Sequence, residues 1–451
     1  MHLHTTDPLF AWGKLADSPD LRGLQFLLKL LPDAPLLAAL RRHRGKGRND
    51  YPVAVLWRVH VTRYLLRHPS MEACLAELGR NAALRKVVGI DERHGVAGVP
   101  AAWNMSRFQD ALGQPEPLAL LQQLFQDLAG RLGRAVADLG QNLAGDSAAL
   151  SARGDADPAA TPLPQPDGAR KEYHDDTGKV AKVYEWFGYK IHLLVDVAHE
   201  VVVAYQVTPA TAPDAGMIPG LLEQAQKVLP QGRIQSLAYD KAADDEKTHQ
   251  RLHKEQIKPL IQNRALWKEE PERRLPRHGP ESNVVYDEAG TLYCYDQVSA
   301  LPVKHKMGFM GYEKSRGTLK YRCPARHEGW SCPSAKKCNG GSTYGKTVRV
   351  KCALDLRRFP PIPRATQEFE RRYKGRTAVE RVNGRLKLFW GAEDGNVTGA
   401  ARFHAHLATI LLVHIAMANW LAASPRYEGQ SLSPTRLSRI AQQLHRAAEA
   451  G

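Results

Sequence analysis

At 451 residues the chain has room for two or three domains with buried cores, so it needs neither disulfides nor structural metals in order to fold. Its 63 basic residues exceed its 47 acidic ones, giving a formal net charge of +16. That excess argues against a small neutral ligand as the main partner and favours a polyanion, nucleic acid first; no segment has the apolar face and Lys/Arg face of an interfacial membrane helix.

Met1 to Leu15 carries His, Asp and Pro where a signal peptide needs an unbroken apolar run, so a cytoplasmic protein is expected, nucleoid-associated when bound to DNA. From Leu21 to Leu132 apolar residues recur at three and four spacing, as in Val53–Leu66, Met71–Leu78 and Leu118–Leu128. Residues 1–132 therefore read as an all-α domain for DNA binding or dimerisation. Its basic run, Arg41 to Arg48, is either a phosphate-contacting loop or a solvated turn.

Residues 133–263 change character. Strand-like sequence surrounds Gly145-Asp146-Ser147, and the Pro-, Ala- and Gly-rich segment Ser151 to Arg170 reads as a loop. The Val- and Ile-rich runs Gly188–Val197 and Val201–Val207, separated by Ala198-His199-Glu200, read as a β-hairpin. A helix (Asp214–Val228), a strand (Ile234–Tyr239) ending at Asp240, a helix (Asp244–Glu255) and a strand (Ile257–Ile261) follow. This order is the one expected of a ribonuclease-H-like mixed sheet in an α/β fold.

Residues 264–363 read as an inserted β-rich, Cys-containing subdomain with a hairpin around Asp287-Glu288-Ala289-Gly290. Residues 364–424 return to the core as helices, Arg364–Phe389 and Thr398–Ala423. Within the second, the long apolar segment Phe403–Ala423 is interrupted by His404, His406, His414 and Asn419, so it reads as a buried core helix and not a membrane span. Residues 425–451 form a polar tail, with a short basic helix within Ser433–Glu449.

Five of the six cysteines fall in the insertion. Cys323, Cys332 and Cys338, with Cys294, Cys352 or His327 as a fourth ligand, form one candidate for structural Zn²⁺. The spacing lacks the short Cys-Cys separation of a zinc knuckle, so free thiols are the favoured reading.

Tyr373, Arg376, Glu380 and Lys387 carry the strongest signal. On a continuous helix they fall within about 60° of arc, one face holding a ring, two cations and a carboxylate. Between Arg364 and Lys387 eight residues are basic and three acidic, an excess that a DNA backbone would neutralise.

This spacing resembles the Tyr-Arg-Glu-Lys signature of a branch of bacterial insertion-sequence DDE transposases. Asp146 and Asp240 resemble the first two acids of that family, and Gly188-Tyr189-Lys190-Ile191-His192 and the helical N-terminal region also resemble it. Ala148 and Ala242-Ala243 stand where many relatives have Thr and Gly-Tyr. The resemblance implies an enzyme that cuts and rejoins the ends of a mobile element. Asp146, Asp240 and Glu380 would hold two Mg²⁺ or Mn²⁺ ions per active site, with Asp146 bridging them. Tyr373, Arg376 and Lys387 would contact DNA. By side-chain parity on the hairpin, Lys190 and His192 either face the site or form an ordinary buried or surface pair, the commoner case. The implied partners are double-stranded DNA, both terminal inverted repeats and target, and a second copy of the chain, since two ends must be joined in concert. Two rivals remain: a non-catalytic DNA-binding protein derived from a transposase, and a zinc hydrolase built on the cysteine segment.

Overall fold

The computed structural model describes residues 18–46, 49–154, 156–157, 161–175, 179–268, 271–275, 282–296, 298–393, 397–424, 430–435, 437 and 439–441. The reading of Met1–Leu15 and most of that of Ser433–Glu449 lie outside them.

The N-terminal region is helical throughout: α1 (Pro19–Leu30), α2 (Ala34–Arg44), α3 (Val53–Leu65), α4 (Met71–Arg80), α5 (Ala82–Val88), α6 (Ala102–Leu112) and α7 (Pro115–Ala135). Local chemistry sets several of the boundaries. Ser18, Ser70 and Asn81 each accept a backbone N–H from the first turn of α1, α4 and α5, which satisfies donors a helix cannot satisfy itself. The basic run is helix as far as Arg44, where Gly45 ends α2 with φ +64°. The first half of that run is thus not a turn: helical apolar spacing continues through Leu40 and carries the arginines with it.

The central sheet is mixed. Strand β1 (Asn142–Ser151) lies between β3 (Val180–Asp196), antiparallel, and β5 (Ser236–Tyr239), parallel. Strand β6 (Lys258–Ile261) extends the parallel side and β4 (Val202–Pro209) pairs with the other edge of β3. The β3–β4 hairpin turns at Val197–Val201, where Glu200 takes a positive φ of 53°. Helices α8 (Ile218–Val228) and α9 (Glu246–Lys254) connect the strands that follow.

One expectation fails here. The outer half of β3 pairs with β2 (Asp167–His174), so the segment read as loop up to Arg170 is partly strand. Residues 180–185 are exposed, and with no burial on either face they carry no period-two apolar signal for a sequence reading to detect.

The insertion builds two small sheets: β7 (Glu272–Arg274), β8 (Val284–Asp287), β9 (Leu292–Tyr295) and β10 (Lys304–Lys306) in one, β11 (Gly308–Glu313), β12 (Thr318–Arg322) and β13 (Thr347–Lys351) in the other. Two short helices, α10 (Pro324–Glu328) and α11 (Ala335–Asn339), carry cysteines beside them. Leu275, Val284, Leu292, Leu319, Val350 and Phe359 give the insertion a core of its own.

The chain then returns through α12 (Gln367–Tyr373) and α13 (Thr377–Trp390) to α14 (Ala400–Ala422). Helix α14 is the one element among the described residues long and apolar enough to cross a membrane, and it is buried almost throughout. Its polar residues are bound internally. Asn419 donates to the Leu128 carbonyl at 3.0 Å, His406 Nδ1 meets the Tyr64 hydroxyl at 2.8 Å, and His414 Nε2 accepts the Val202 N–H at 3.1 Å. Around α14 the N-terminal helices and the sheet share one continuous apolar core.

Candidate active site

The register of β1 against β5 brings the first two acids together. The pairing ends at Ala144 opposite Ala238; Asp146 comes two residues later in β1 and Asp240 two residues later, just past β5, and the Asp240 charge acts on Asp146. Asp240 keeps an extended backbone (φ −71°, ψ 172°) as the chain leaves β5, and its Oδ1 accepts the Ala242 N–H at 2.8 Å. On the opposite face, Tyr239 lies across Gly145. A Cβ there would fall 2.1 Å from the ring, so hydrogen alone fits. The Tyr239 hydroxyl is buried without a hydrogen-bond partner, and the Asp214, Asp146 and Asp240 charges add to burial in pushing its pKa up.

Helix α13 packs on the face of β1 that carries Asp146. Asn383, Leu386 and Lys387 line a small hollow with Ala148, Leu150 and Ile191, and Glu380 lies one turn before Asn383. Arg376 joins the two elements: Nη1 is 3.2 Å from Asp146 Oδ2 and Nη2 is 2.7 Å from Glu380 Oε1. Asp146 Oδ1 accepts the Ser147 N–H at 2.9 Å. Burial pushes the Asp146 carboxyl up to about 6; Ser147 and Arg376 oppose the shift, and the nearby Asp240 and Asp214 charges reinforce it.

The helix carrying this signature is not continuous. Lys374–Arg376 forms a 3-10 turn between α12 and α13, so the 100° spacing does not run unbroken from Tyr373 to Lys387. Gly375 sits at the break, where a Cβ would approach Val197 Cγ1 to 2.8 Å. Tyr373 ends α12 stacked on Phe369, centroids 5.6 Å apart. Burial raises its hydroxyl pKa, and Arg376, Asp240 and Asp146 are its charged neighbours. Lys387 is turned to Glu393, Nζ to Oε1 2.6 Å.

A fourth acid escaped the sequence reading. Asp214 opens the 3-10 turn before α8 and accepts from Lys190 Nζ at 3.2 Å, with His192 Nδ1 at 3.7 Å. His192 pairs with Ser147 and Lys190 with Ala149, so both side chains lie on the face of the sheet opposite Asp146; they meet Asp214 there and do not face the candidate catalytic acids. His192 is fully buried, its Nε2 lies 2.8 Å from Thr208 Oγ1, and burial lowers its pKa to about 4 against the pull of Asp214. The available signal was the shared side-chain parity of Lys190 and His192, which called for a partner.

Asp244 is wholly buried and accepts four hydrogen bonds. Arg357 Nε (2.8 Å) and the Arg264 N–H (2.8 Å) reach Oδ2, and Arg364 Nη2 (2.9 Å) and His249 Nε2 (3.0 Å) meet Oδ1. This group ties both ends of the insertion to the central sheet.

The hard oxygen donors of Asp146, Asp240 and Glu380, with a guanidinium already between two of them, suit a cation in kind. Among the described residues no three His, Cys, Asp or Glu side chains stand close enough to enclose an ion as placed. In the insertion, burial, followed by the electrostatic influence of Cys323, Cys338 and Cys332, pushes the Cys294 pKa up to about 12, but these thiols do not gather closely enough to hold an ion. Cys352 is buried in the insertion's core instead, and the His327 ring packs on Gly308.

The family described as "Transposase DDE domain" matches residues 154–416, which include Asp240 and Glu380 and begin after Asp146. A "Transposase domain (DUF772)" matches residues 17–111, the helical region. No curated protein matches the chain. Among solved structures, a cryo-EM structure of the piggyBac transposase synaptic complex with hairpin DNA is similar at 12% identity and a TM-score of 0.40, covering 94% of this chain and 79% of that one. With more than half its length matched by that first family, the chain belongs to the DDE-domain transposases and is a DNA transposase.

Proposed function

We propose that the chain is an insertion-sequence transposase of the branch with the Tyr-Arg-Glu-Lys signature, in which Asp146, Asp240 and Glu380 hold the divalent metal. One observation carries this reading: a single guanidinium, Arg376, bridges Glu380, four residues on, and Asp146, 230 residues away, with Asp240 just past the end of the strand paired with β1. The strand order β4-β3-β1-β5-β6, antiparallel on one side of β1 and parallel on the other, supports a ribonuclease-H-like catalytic domain. We further propose the division into residues 1–132, a catalytic core at 133–263 and 364–424, an insertion at 264–363 and a tail at 425–451.

Two Mg²⁺ or Mn²⁺ ions per site would stabilise the attacking and leaving oxygens of the phosphodiester. The chain's own groups do the rest. Asp146 presents its carboxylate from within β1 and Asp240 from just past the end of β5, fixed by the Ser147 and Ala242 N–H groups. Glu380 approaches from α13. Tyr373, Arg376 and Lys387 contact the sugar–phosphate backbone near the cut, where a guanidinium fork matches phosphate. The partners are terminal inverted repeats and target DNA, the working form is a homodimer on DNA, and the compartment is the cytoplasm.

The test is incubation with Mg²⁺ and a DNA fragment carrying the element's own ends. Wild type should cleave it and Asp240→Ala should not. Cleavage that survives Asp240→Ala removes this residue from the mechanism, and tight binding without cleavage by the wild type supports the non-catalytic alternative.

A further inference from the structure

We propose that Arg376 is the resident counter-cation of the DNA-free active site, and that the carboxylates become free to take metal only as DNA phosphate draws this side chain away. The inference rests on the reading of Asp146, Asp240 and Glu380 as metal-binding acids. Its own observation is different: the position of one guanidinium.

Arg376 reaches Asp146 through Nη1 and Glu380 through Nη2, so each arm of the fork is committed to a different carboxylate. Its side chain and that of Asp146 are both only 23% exposed. The pair with Glu380 has the i,i+4 spacing in the less favourable order, with the cation N-terminal to the acid. Helix geometry alone therefore gives little reason for the contact, whereas Asp146 does. Of the two Asp146 oxygens, one accepts the Ser147 N–H and the other, directed at α13, is occupied by Arg376.

That arrangement bears on metal loading in two ways. A magnesium ion needs its oxygens at about 2.0–2.1 Å in near-octahedral array. A guanidinium linking two carboxylates holds them further apart, in keeping with the lack, among the described residues, of three acids gathered around one point. Arg376 also places a positive charge where the ion's own charge must come, so ion and guanidinium compete for the same oxygens. Phosphate offers the guanidinium an equivalent partner, because the fork fits phosphate and carboxylate alike. DNA arriving at α13 therefore releases the acids by exchange of one anion for another. Reciprocity follows: whatever factor DNA adds to metal affinity, metal adds to DNA affinity.

The experiment measures Mn²⁺ binding to the full chain without DNA, by loss of the free-ion electron paramagnetic resonance signal, for wild type, Arg376→Gln and Arg376→Lys. Arg376→Gln should bind Mn²⁺ about tenfold more tightly than wild type, within the usual range of site-to-site coupling. Arg376→Lys keeps the charge but not the fork and should fall between the two; it carries the test if the glutamine variant does not fold. With a duplex copied from the element's end, wild type should gain Mn²⁺ affinity and Arg376→Gln should gain much less. Mn²⁺ affinity that is unchanged or weaker in both variants overturns the inference. Asp240→Asn separates the two levels: it should weaken Mn²⁺ binding in every background, and if it does not, the reading of the three acids fails, whatever the arginine variants do.

Discussion

Replacing Asp244 with alanine should detach the insertion from the central sheet. The carboxylate is fully buried, and three of its four hydrogen bonds come from the insertion's borders, Arg264, Arg357 and Arg364, with the fourth from His249 five residues on. Four hydrogen bonds to a charged acceptor, at about 1.5–3 kcal/mol each, would sum to more than the whole stability of many domains, so the sum is not the prediction. Much of the donor capacity survives, because Arg364 also donates to the carbonyls of Ile261 (2.8 Å) and Arg357 (2.6 Å), and Arg357 to that of Arg264 (2.5 Å). What remains is the cost of two cations left without their counter-charge in a nearly closed space, about 3–5 kcal/mol. At about 2 °C per kcal/mol for a chain of this size, Tm should fall by roughly 6–10 °C. Hydrogen exchange should accelerate first at residues 258–266 and 355–366, before the N-terminal helices respond. The pH dependence has a definite sign. Burial alone would push the Asp244 carboxyl up, but the His249 hydrogen bond and the Arg364 and Arg357 partners outweigh it and hold it below the usual range. Its contribution is therefore present at neutral pH and lost as pH falls below about 4, so the difference between wild type and Asp244→Ala should shrink there. A variant melting within a degree of wild type at pH 7, with unchanged exchange at both borders, would refute the assignment of this carboxylate as the clamp.

Asp240→Ala should abolish cleavage while leaving the melting curve nearly intact, because the side chain caps only one 3-10 turn, worth about 1 kcal/mol; circular dichroism beside the cleavage assay checks both. Gly145→Ala forces a methyl into the Tyr239 ring and should destabilise the fold by about 1–3 kcal/mol, with Gly145→Ala/Tyr239→Leu recovering part of the loss in denaturant titrations. His60, His406 and His414 are buried neutral, burial lowering each pKa to about 3. Their unfolded forms take up protons first, so stability should fall as pH drops below about 6.5, by roughly 3–4 kcal/mol for the three together at pH 5.5. His414→Gln should remove about a third of that slope in melts at pH 7.5 and 5.5, and an unchanged slope would contradict the neutral assignment.

What the sequence revealed and what it hid divide along physical lines. Apolar spacing exposed the N-terminal helices because their buried residues recur at helical intervals, and the β3–β4 hairpin because its inner strands, buried on both faces, read as continuous Val- and Ile-rich runs. The two aspartates carried a signal because Asp146 sits within and Asp240 just after a short strand with apolar residues, and Glu380 because its cationic neighbours recur at fixed intervals. Strand β2 was hidden because its pairing with the outer half of β3 buries nothing. The turn at Lys374–Arg376 was hidden because the close approach of Gly375 to Val197 is a contact between distant segments. Asp214 and Asp244 were hidden for the same reason: apart from His249, their partners lie from 20 to 120 residues away, beyond the reach of a local pattern.

The arrangement around Asp146 explains why such a site is hard to read from residue type alone. Three acids close enough to act together repel one another, and a metal-free chain must relieve that repulsion with a group of its own. Here the compensation is divided. Burial and the neighbouring charges raise the proton affinity of Asp146, Lys190 pairs with the nearby Asp214, and Arg376 spans Asp146 and Glu380. From the sequence Arg376 was assigned to DNA alone, because a cation on a basic helix most simply meets phosphate. Its position among the acids gives it a second partner without removing the first, since phosphate and carboxylate compete for the same fork. A residue able to satisfy either anion, but not both at once, makes metal and DNA binding depend on each other with no larger movement of the fold.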